Sequence, residues 1–233
     1  MTLNGTEPFP IRCRGLLFDM DGTLIDTTVI VERHWKVWCK SHDIDFDSLI
    51  ATSHGRPSTE VIKQWAPAHL QEEYLSAVYI QKLESTVTND KDGMVLISGA
   101  KELLKSIPSS MWAVVTSAGF EMATQRFKQT GLTTPPVLIT ASHITRGKPH
   151  PEGYMSAAAQ LGLDPKDCVV FEDAPAGIRA GVASGAKVVI GMNTGTMPLD
   201  HLTEAGANPI VKSFDELNFE ILPDGWIEIT KKQ

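Results

Sequence analysis

The order of apolar and polar positions divides the chain into two kinds of segment. Four short runs are almost continuously apolar and end on turn or polar residues: GLLFDMDG (15–22), MWAVVTSAG (111–119), CVVFEDAPAG (168–177) and AKVVIGMN (186–193). Continuous rather than alternating apolarity is the mark of strands buried on both faces of a parallel sheet. Helix-period segments lie around the later runs: GAKELLKSI (99–107), FEMATQRFKQTG (120–131), PEGYMSAAAQLGL (151–163) and PAGIRAGVASGA (175–186). Strand and helix in alternation predict βαβ units and an α/β fold with a doubly wound parallel sheet. Near the C-terminus NPIVKSF (208–214) reads as an edge strand. FEILPDGWIEIT (219–230) reads as a hairpin turned at its Pro-Asp-Gly.

Residues 27–94 break this rhythm. TTVIVERHWKVWCKSHDI (27–44) sets Val31, His34, Trp35, Trp38 and Cys39 at helical spacing. SLIATSHGRPSTEVIKQWAP (48–67) reads as a loop followed by a helix starting near Ser58, and LQEEYLSAVYIQKLEST (70–86) as a single further helix. An all-helical block inserted after the first strand predicts two domains: an α/β core of residues 1–26 and 95–233, and a small helical cap of residues 27–94.

Composition narrows the class. With 233 residues, 42% hydrophobic and 21% charged, the chain is long enough to bury a substantial core. A net charge of −7 argues against a dedicated nucleic-acid binder, whose affinity rests on cations facing phosphates. No apolar run approaches the roughly 20 residues that span a bilayer, and the first residues lack the basic and apolar regions of a secretory leader. Cys13, Cys39 and Cys168 form no metal spacing and are expected to be buried, reduced thiols. These features predict a monomeric cytoplasmic protein with no nucleic-acid or membrane partner.

In an open α/β sheet the site lies beyond the carboxyl ends of the strands. There the first run delivers Asp19 and Asp21, the second Thr116 and Ser117, and the third Glu172 and Asp173. Lys148 comes from the loop RGKPHPEGY. Four converging carboxylates repel one another unless a cation balances them. A hard divalent cation such as Mg²⁺, held by carboxylates, waters and a substrate phosphate oxygen, fits that requirement. With Lys148, Thr116 and nearby backbone N–H groups it would form an anion cradle suited to phosphoryl transfer. Asp19 is placed to attack phosphorus. Asp21 is placed to protonate the leaving oxygen and then to deprotonate water.

DMDGT (19–23), VVTSAG (114–119), GKPHPEGY (147–154) and VVFEDAPAGIRAG (169–181) resemble, in order, the four motifs of haloacid dehalogenase superfamily phosphatases. The helical block resembles the small cap of the β-phosphoglucomutase-like branch. Asp21 separates the chain from the dehalogenases, which lack it. The resemblance implies an aspartyl-phosphate intermediate on Asp19, with Asp21 as general acid/base, and phosphate contacts from Thr116, Ser117 and Lys148. It implies Mg²⁺ on Asp19, the backbone carbonyl of Asp21, and Asp173, with Glu172 either a direct ligand or one step removed. SHGRPSTEVI, EDAPAG and RGKPHPEGY are similar to the sugar- and polyol-phosphate phosphatases of yeasts and bacteria, which act on glycerol-phosphate, 2-deoxyglucose-6-phosphate and hexitol-phosphate. The implied partner is a small phosphorylated metabolite.

Within the helical block, His54, Gly55 and Arg56 are candidates for substrate contact from a loop that closes over the site. Trp35 is read first as a core residue, with Glu32 beside it as a pocket alternative. His34, His42, His69, His143 and His201 are read as surface or capping residues and His150 as structural. A phosphosugar mutase remains the alternative function, with Arg56 available for a second phosphate. A non-catalytic aspartyl-phosphate receiver is disfavoured by chain length and by the helical block.

Overall fold

The computed structural model describes residues 9–195 and 197–232. The N-terminal segment that reads as lacking a leader lies largely outside them. In chain order the core opens with β1 (Ile11–Cys13), β2 (Gly15–Phe18) and β3 (Ile25–Asp26). The helical block comes next: α1 (Thr28–His42), α2 (Phe46–Ser53), α3 (Ser58–Trp65), α4 (Gln71–Tyr74) and α5 (Ala77–Asn89). The chain returns through β4 (Val95–Leu96), α6 (Ala100–Ser106), β5 (Trp112–Val115), α7 (Phe120–Thr130), β6 (Leu138–Ile139), α8 (Glu152–Gln160) and β7 (Cys168–Glu172). It ends with α9 (Pro175–Ala183), β8 (Val188–Met192), α10 (Leu199–Ala205), β9 (Ile210–Val211), β10 (Leu217–Ile221) and β11 (Ile227–Lys231).

Six strands form one parallel sheet in the order β6-β5-β2-β7-β8-β9. All four apolar runs are strands of this sheet, and β2 lies between β5 and β7. Their side chains alternate between two cores. Leu16, Phe18, Val114 and Phe171 pack on one face, and Leu17, Ala113, Val115 and Val170 on the other. Both faces are apolar, so the runs show no polar alternation. Phe18 stacks on Phe171 at 5.1 Å between ring centroids and meets Phe214 edge-on.

The hairpin and the edge strand are present. β10 pairs with β11 in a three-stranded antiparallel sheet completed by β1, and β9 lies at the margin of the parallel sheet. Two short elements carry no strong sequence pattern: β6, and the two-stranded β3–β4 ladder, which joins the ends of the helical block. All three cysteines are buried free thiols, as expected. Among the described residues no helix is long and apolar enough to cross a membrane.

The helical block departs from expectation in two places. Residues 48–53, read as loop, belong to α2, which Asp45 caps by accepting from the Ser48 N–H. The single helix expected over 70–86 is broken. A 3₁₀ turn (Ala68–Leu70) and α4 end at Leu75, and Ser76 starts α5 by accepting from the Tyr79 N–H. The block has its own apolar cluster, with Trp35, Trp38, Leu49, Val61 and Ile62 at its centre. His42, read as a surface or capping residue, is half-buried and bridges the Trp38 carbonyl in the last turn of α1 and the Tyr74 hydroxyl.

Candidate active site

Each predicted site residue of the core sheet lies at the carboxyl end of a central strand. Asp19 follows β2, Thr116 follows β5, Glu172 ends β7 and Asp173 follows it. Adjacent parallel strands in register bring these tips together, so the fold itself assembles the carboxylates. After Asp19 the chain reverses tightly. The N–H groups of Leu24 and Ile25 both bond to the Met20 carbonyl, and Gly22 takes a φ of 89° that disfavours side chains. A Cβ on Gly22 would overlap the Asp173 carboxylate, so glycine here permits the two acidic loops to approach.

Lys148 is almost fully buried and holds two carboxylates at once, Asp19 Oδ1 at 2.5 Å and Glu172 Oε1 at 2.6 Å. Burial works against its ammonium, and the two carboxylates outweigh that cost and raise its pKa. Glu172 is further tied: Tyr154 donates its hydroxyl to Oε1 at 3.0 Å and the Ala174 N–H reaches Oε2 at 3.0 Å. One ammonium does not balance the cluster. Burial and the neighbouring carboxylates hold both Asp19 and Asp173 above the ordinary carboxylate range.

One oxygen of each of Asp19, Glu172 and Asp173 lies within 4.8 Å of the others. Asp19 Oδ2 is buried with no hydrogen-bond partner. An orphaned carboxylate oxygen in a cluster short of positive charge suits a hard divalent cation. The Asp21 carboxylate is outside that trio. Its oxygens accept from the Thr27 hydroxyl at 2.8 Å and more weakly from Thr116 at 3.4 Å. Burial lifts its pKa, with the Thr27 bond and the nearby Arg126 charge opposing.

Asp19, Asp21 and Asp173 open into a cavity of about 120 Å³ between the sheet edge and the helical block, whereas Lys148 and Glu172 are not part of its wall. Its wall includes Asp19, Asp21, Thr116, Ser117 and Asp173 from the core, and His54, Gly55 and Arg56 from the loop between α2 and α3. The loop residues are therefore brought to the site, with two changes of detail. Ser117, expected on phosphate, donates its hydroxyl to the Gly55 carbonyl at 2.8 Å. Arg56 turns its guanidinium to its own helices, bonding Thr52 O, Gln64 Oε1 and Glu60 Oε2 at 3.2, 2.7 and 3.4 Å. His54 faces Glu32 at 3.6 Å, and burial lowers its pKa. Trp35 serves both readings, packed in the block's cluster and lining the cavity.

Three wall residues escape the sequence reading. His34, read as a surface or capping residue, lines the cavity and pairs with Asp90 Oδ2 at 3.0 Å. Arg126 of α7 is completely buried and donates to the carbonyls of Val87 and Asp90 at 3.0 and 3.1 Å. Glu84 of α5 lines the same cavity. An arginine in an otherwise apolar helix stripe, beside Phe127, is the one available signal for Arg126. His143 does cap, bonding the Thr140 backbone N–H, and His150 accepts from the Glu152 N–H.

The fold is a six-stranded parallel sheet with acidic strand tips and a helical insertion, and residues 16–190 match the family model of haloacid dehalogenase-like hydrolases. The chain belongs to that family. It is 36% identical over 181 residues to hexitol phosphatase A of Escherichia coli, covering 77% of this chain and 83% of that protein. It is 36% identical over 224 residues to glycerol-1-phosphate phosphohydrolase 2 of Saccharomyces cerevisiae, covering 91% and 87%. Among solved structures it is similar to a haloacid dehalogenase family hydrolase of Deinococcus radiodurans with bound phosphate and sodium. That match has a TM-score of 0.65 and 26% identity, covering 88% of this chain and 93% of the other.

Proposed function

We propose that the protein is an Mg²⁺-dependent phosphatase of small sugar or polyol phosphates, with residues 27–94 acting as a cap over the core formed by 1–26 and 95–233. The observation that carries this reading is the pairing of Asp19 and Asp21 at one strand tip within one cavity. Lys148 binds the first, and Thr27 and Thr116 hold the second. The names of the two relatives above support the substrate class.

In this reading a carboxylate oxygen of Asp19 attacks phosphorus. The bond from phosphorus to the alcohol oxygen breaks, its electron pair stays on that oxygen, and Asp21 supplies the proton. Burial raises the pKa of the Asp21 carboxyl above its ordinary value, the direction a general acid needs. Water then passes a proton to Asp21 and attacks phosphorus. The bond to Asp19 breaks and inorganic phosphate leaves. Thr116 and Lys148 would orient the phosphoryl group. Mg²⁺ would be held by Asp19, Asp173 and the Asp21 carbonyl, with Glu172 fixing Lys148 beside them, and when bound it would neutralise charge on the phosphoryl oxygens.

The mutase alternative requires a free cation for a second phosphate, and the Arg56 guanidinium is committed to Thr52, Glu60 and Gln64. Phosphate release from glycerol phosphate and hexitol phosphates in the presence of Mg²⁺ tests the proposal. Turnover that stops in Asp19→Asn supports it. Isomerised ester without net phosphate release would replace it with the mutase.

A further inference from the structure

The alcohol released with each phosphate must fit against the helical side of the cavity. Glu84 lines that space from α5. Its side chain packs against the turn that begins α7, where a Cβ on Gly119 would lie 2.5 Å from Glu84 Oε2. Among the described residues its carboxylate accepts no hydrogen bond and joins no ion pair. Partial burial, with Glu121 nearby, raises its pKa. A half-buried carboxylate without a partner is costly unless a donor satisfies it.

The basic groups around the same cavity are already engaged. Arg126 gives its two terminal nitrogens to the Val87 and Asp90 carbonyls, while its buried Nε has no hydrogen-bond partner. Arg56 is held by Thr52, Glu60 and Gln64. His34 faces Asp90, and His54 faces Glu32 with its pKa lowered by burial. Among the described residues, Glu84 is thus the acceptor left free on the helical side, and no cation is paired with it. A hydroxyl can donate to Glu84 in a charge-assisted bond, whereas a second anionic group beside it meets a like charge.

We propose that Glu84 is a specificity-determining residue, accepting hydrogen bonds from hydroxyls of a neutral polyol leaving group and excluding leaving groups that carry an anion. The proposal rests on the phosphatase reading above and names the class of alcohol that reading leaves open. Discrimination here uses an attractive and a repulsive element together.

A matched pair of substrates tests it. Racemic glycerol phosphate and 3-phosphoglycerate share a three-carbon chain, and the second has a carboxylate where the first has a hydroxymethyl group. The quantity read is the ratio of their kcat/KM values within each protein, which a general loss of activity does not mimic. Wild type is expected to favour glycerol phosphate. In Glu84→Gln, which keeps the shape and removes the charge, that ratio falls by about tenfold or more. In Glu84→Ala the KM for glycerol phosphate also rises. A wild type that uses both esters equally, or a ratio unchanged in both variants, overturns the role of Glu84 and leaves the phosphatase reading intact. A wild type that releases phosphate from neither ester nor from any hexitol phosphate overturns the phosphatase reading and this inference with it.

Discussion

Ser117 Oγ donates a 2.8 Å hydrogen bond to the carbonyl oxygen of Gly55. The donor sits just beyond β5 at the sheet edge, and the acceptor lies in the loop between α2 and α3, so this bond ties the helical block to the core beside the cavity. Gly55 has a φ of 75°, and a Cβ there would come within 2.7 Å of the Ala174 Cβ. The loop therefore approaches the core more closely than any other residue type allows without a shift. Losing one such hydrogen bond costs about 1 kcal/mol, roughly fivefold in an equilibrium. Ser117→Ala is expected to lower kcat/KM for a polyol phosphate by about that factor, mainly through KM, with little change in Tm. Steady-state kinetics beside a thermal melt check this. Unchanged kinetics would mean the contact does not bear on catalysis.

Lys148 gives a second prediction. Removing one partner of a buried ionic group leaves uncompensated charge and costs about 3–5 kcal/mol. Lys148→Met exposes Asp19 and Glu172 to each other, so it should destabilise the metal-free protein by about this amount at pH 8. The loss should shrink at lower pH, where the carboxylates take up protons, and also on adding Mg²⁺. Urea unfolding at two pH values, with and without Mg²⁺, measures both effects.

The acidic cluster makes the third prediction, and its sign comes from linkage. Burial, despite Lys148, lifts the Asp19 pKa from 3.8 to about 8 in the metal-free fold, and Asp173 is raised as well. Between those values the folded state binds more protons than the unfolded chain. The contribution of this cluster is complete below the unfolded pKa and is lost as pH rises through the folded pKa. A divalent cation competes with those protons and stabilises the ionised form. The rise in Tm on adding Mg²⁺ should therefore be larger at pH 8 than at pH 5.5. An equal rise at both values would contradict a metal bound by these carboxylates.

Legibility in the sequence tracks the physics of each element. The four central strands can be read because both faces are buried, and the core site because parallel register carries every strand tip to one edge. β6 has two residues and carries too little pattern to register. The break at Leu75 is hidden because the residues around it keep helical spacing. Only Ser76, placed to cap α5, marks the interruption. Glu84, His34 and Arg126 cannot be assigned from sequence, since their meaning comes from a helical block folded onto the core. Arg126, for example, acquires partners 36 and 39 residues away.

The central claim is that Asp19 carries the phosphoryl group during turnover. Acid quenching during hydrolysis of glycerol phosphate, followed by digestion and mass spectrometry, tests it most directly. A phosphoryl adduct on the Asp19 side chain is predicted, formed only in the presence of substrate and absent in Asp19→Asn. Sustained phosphate release with no adduct at Asp19, together with activity retained in Asp19→Asn, would contradict it.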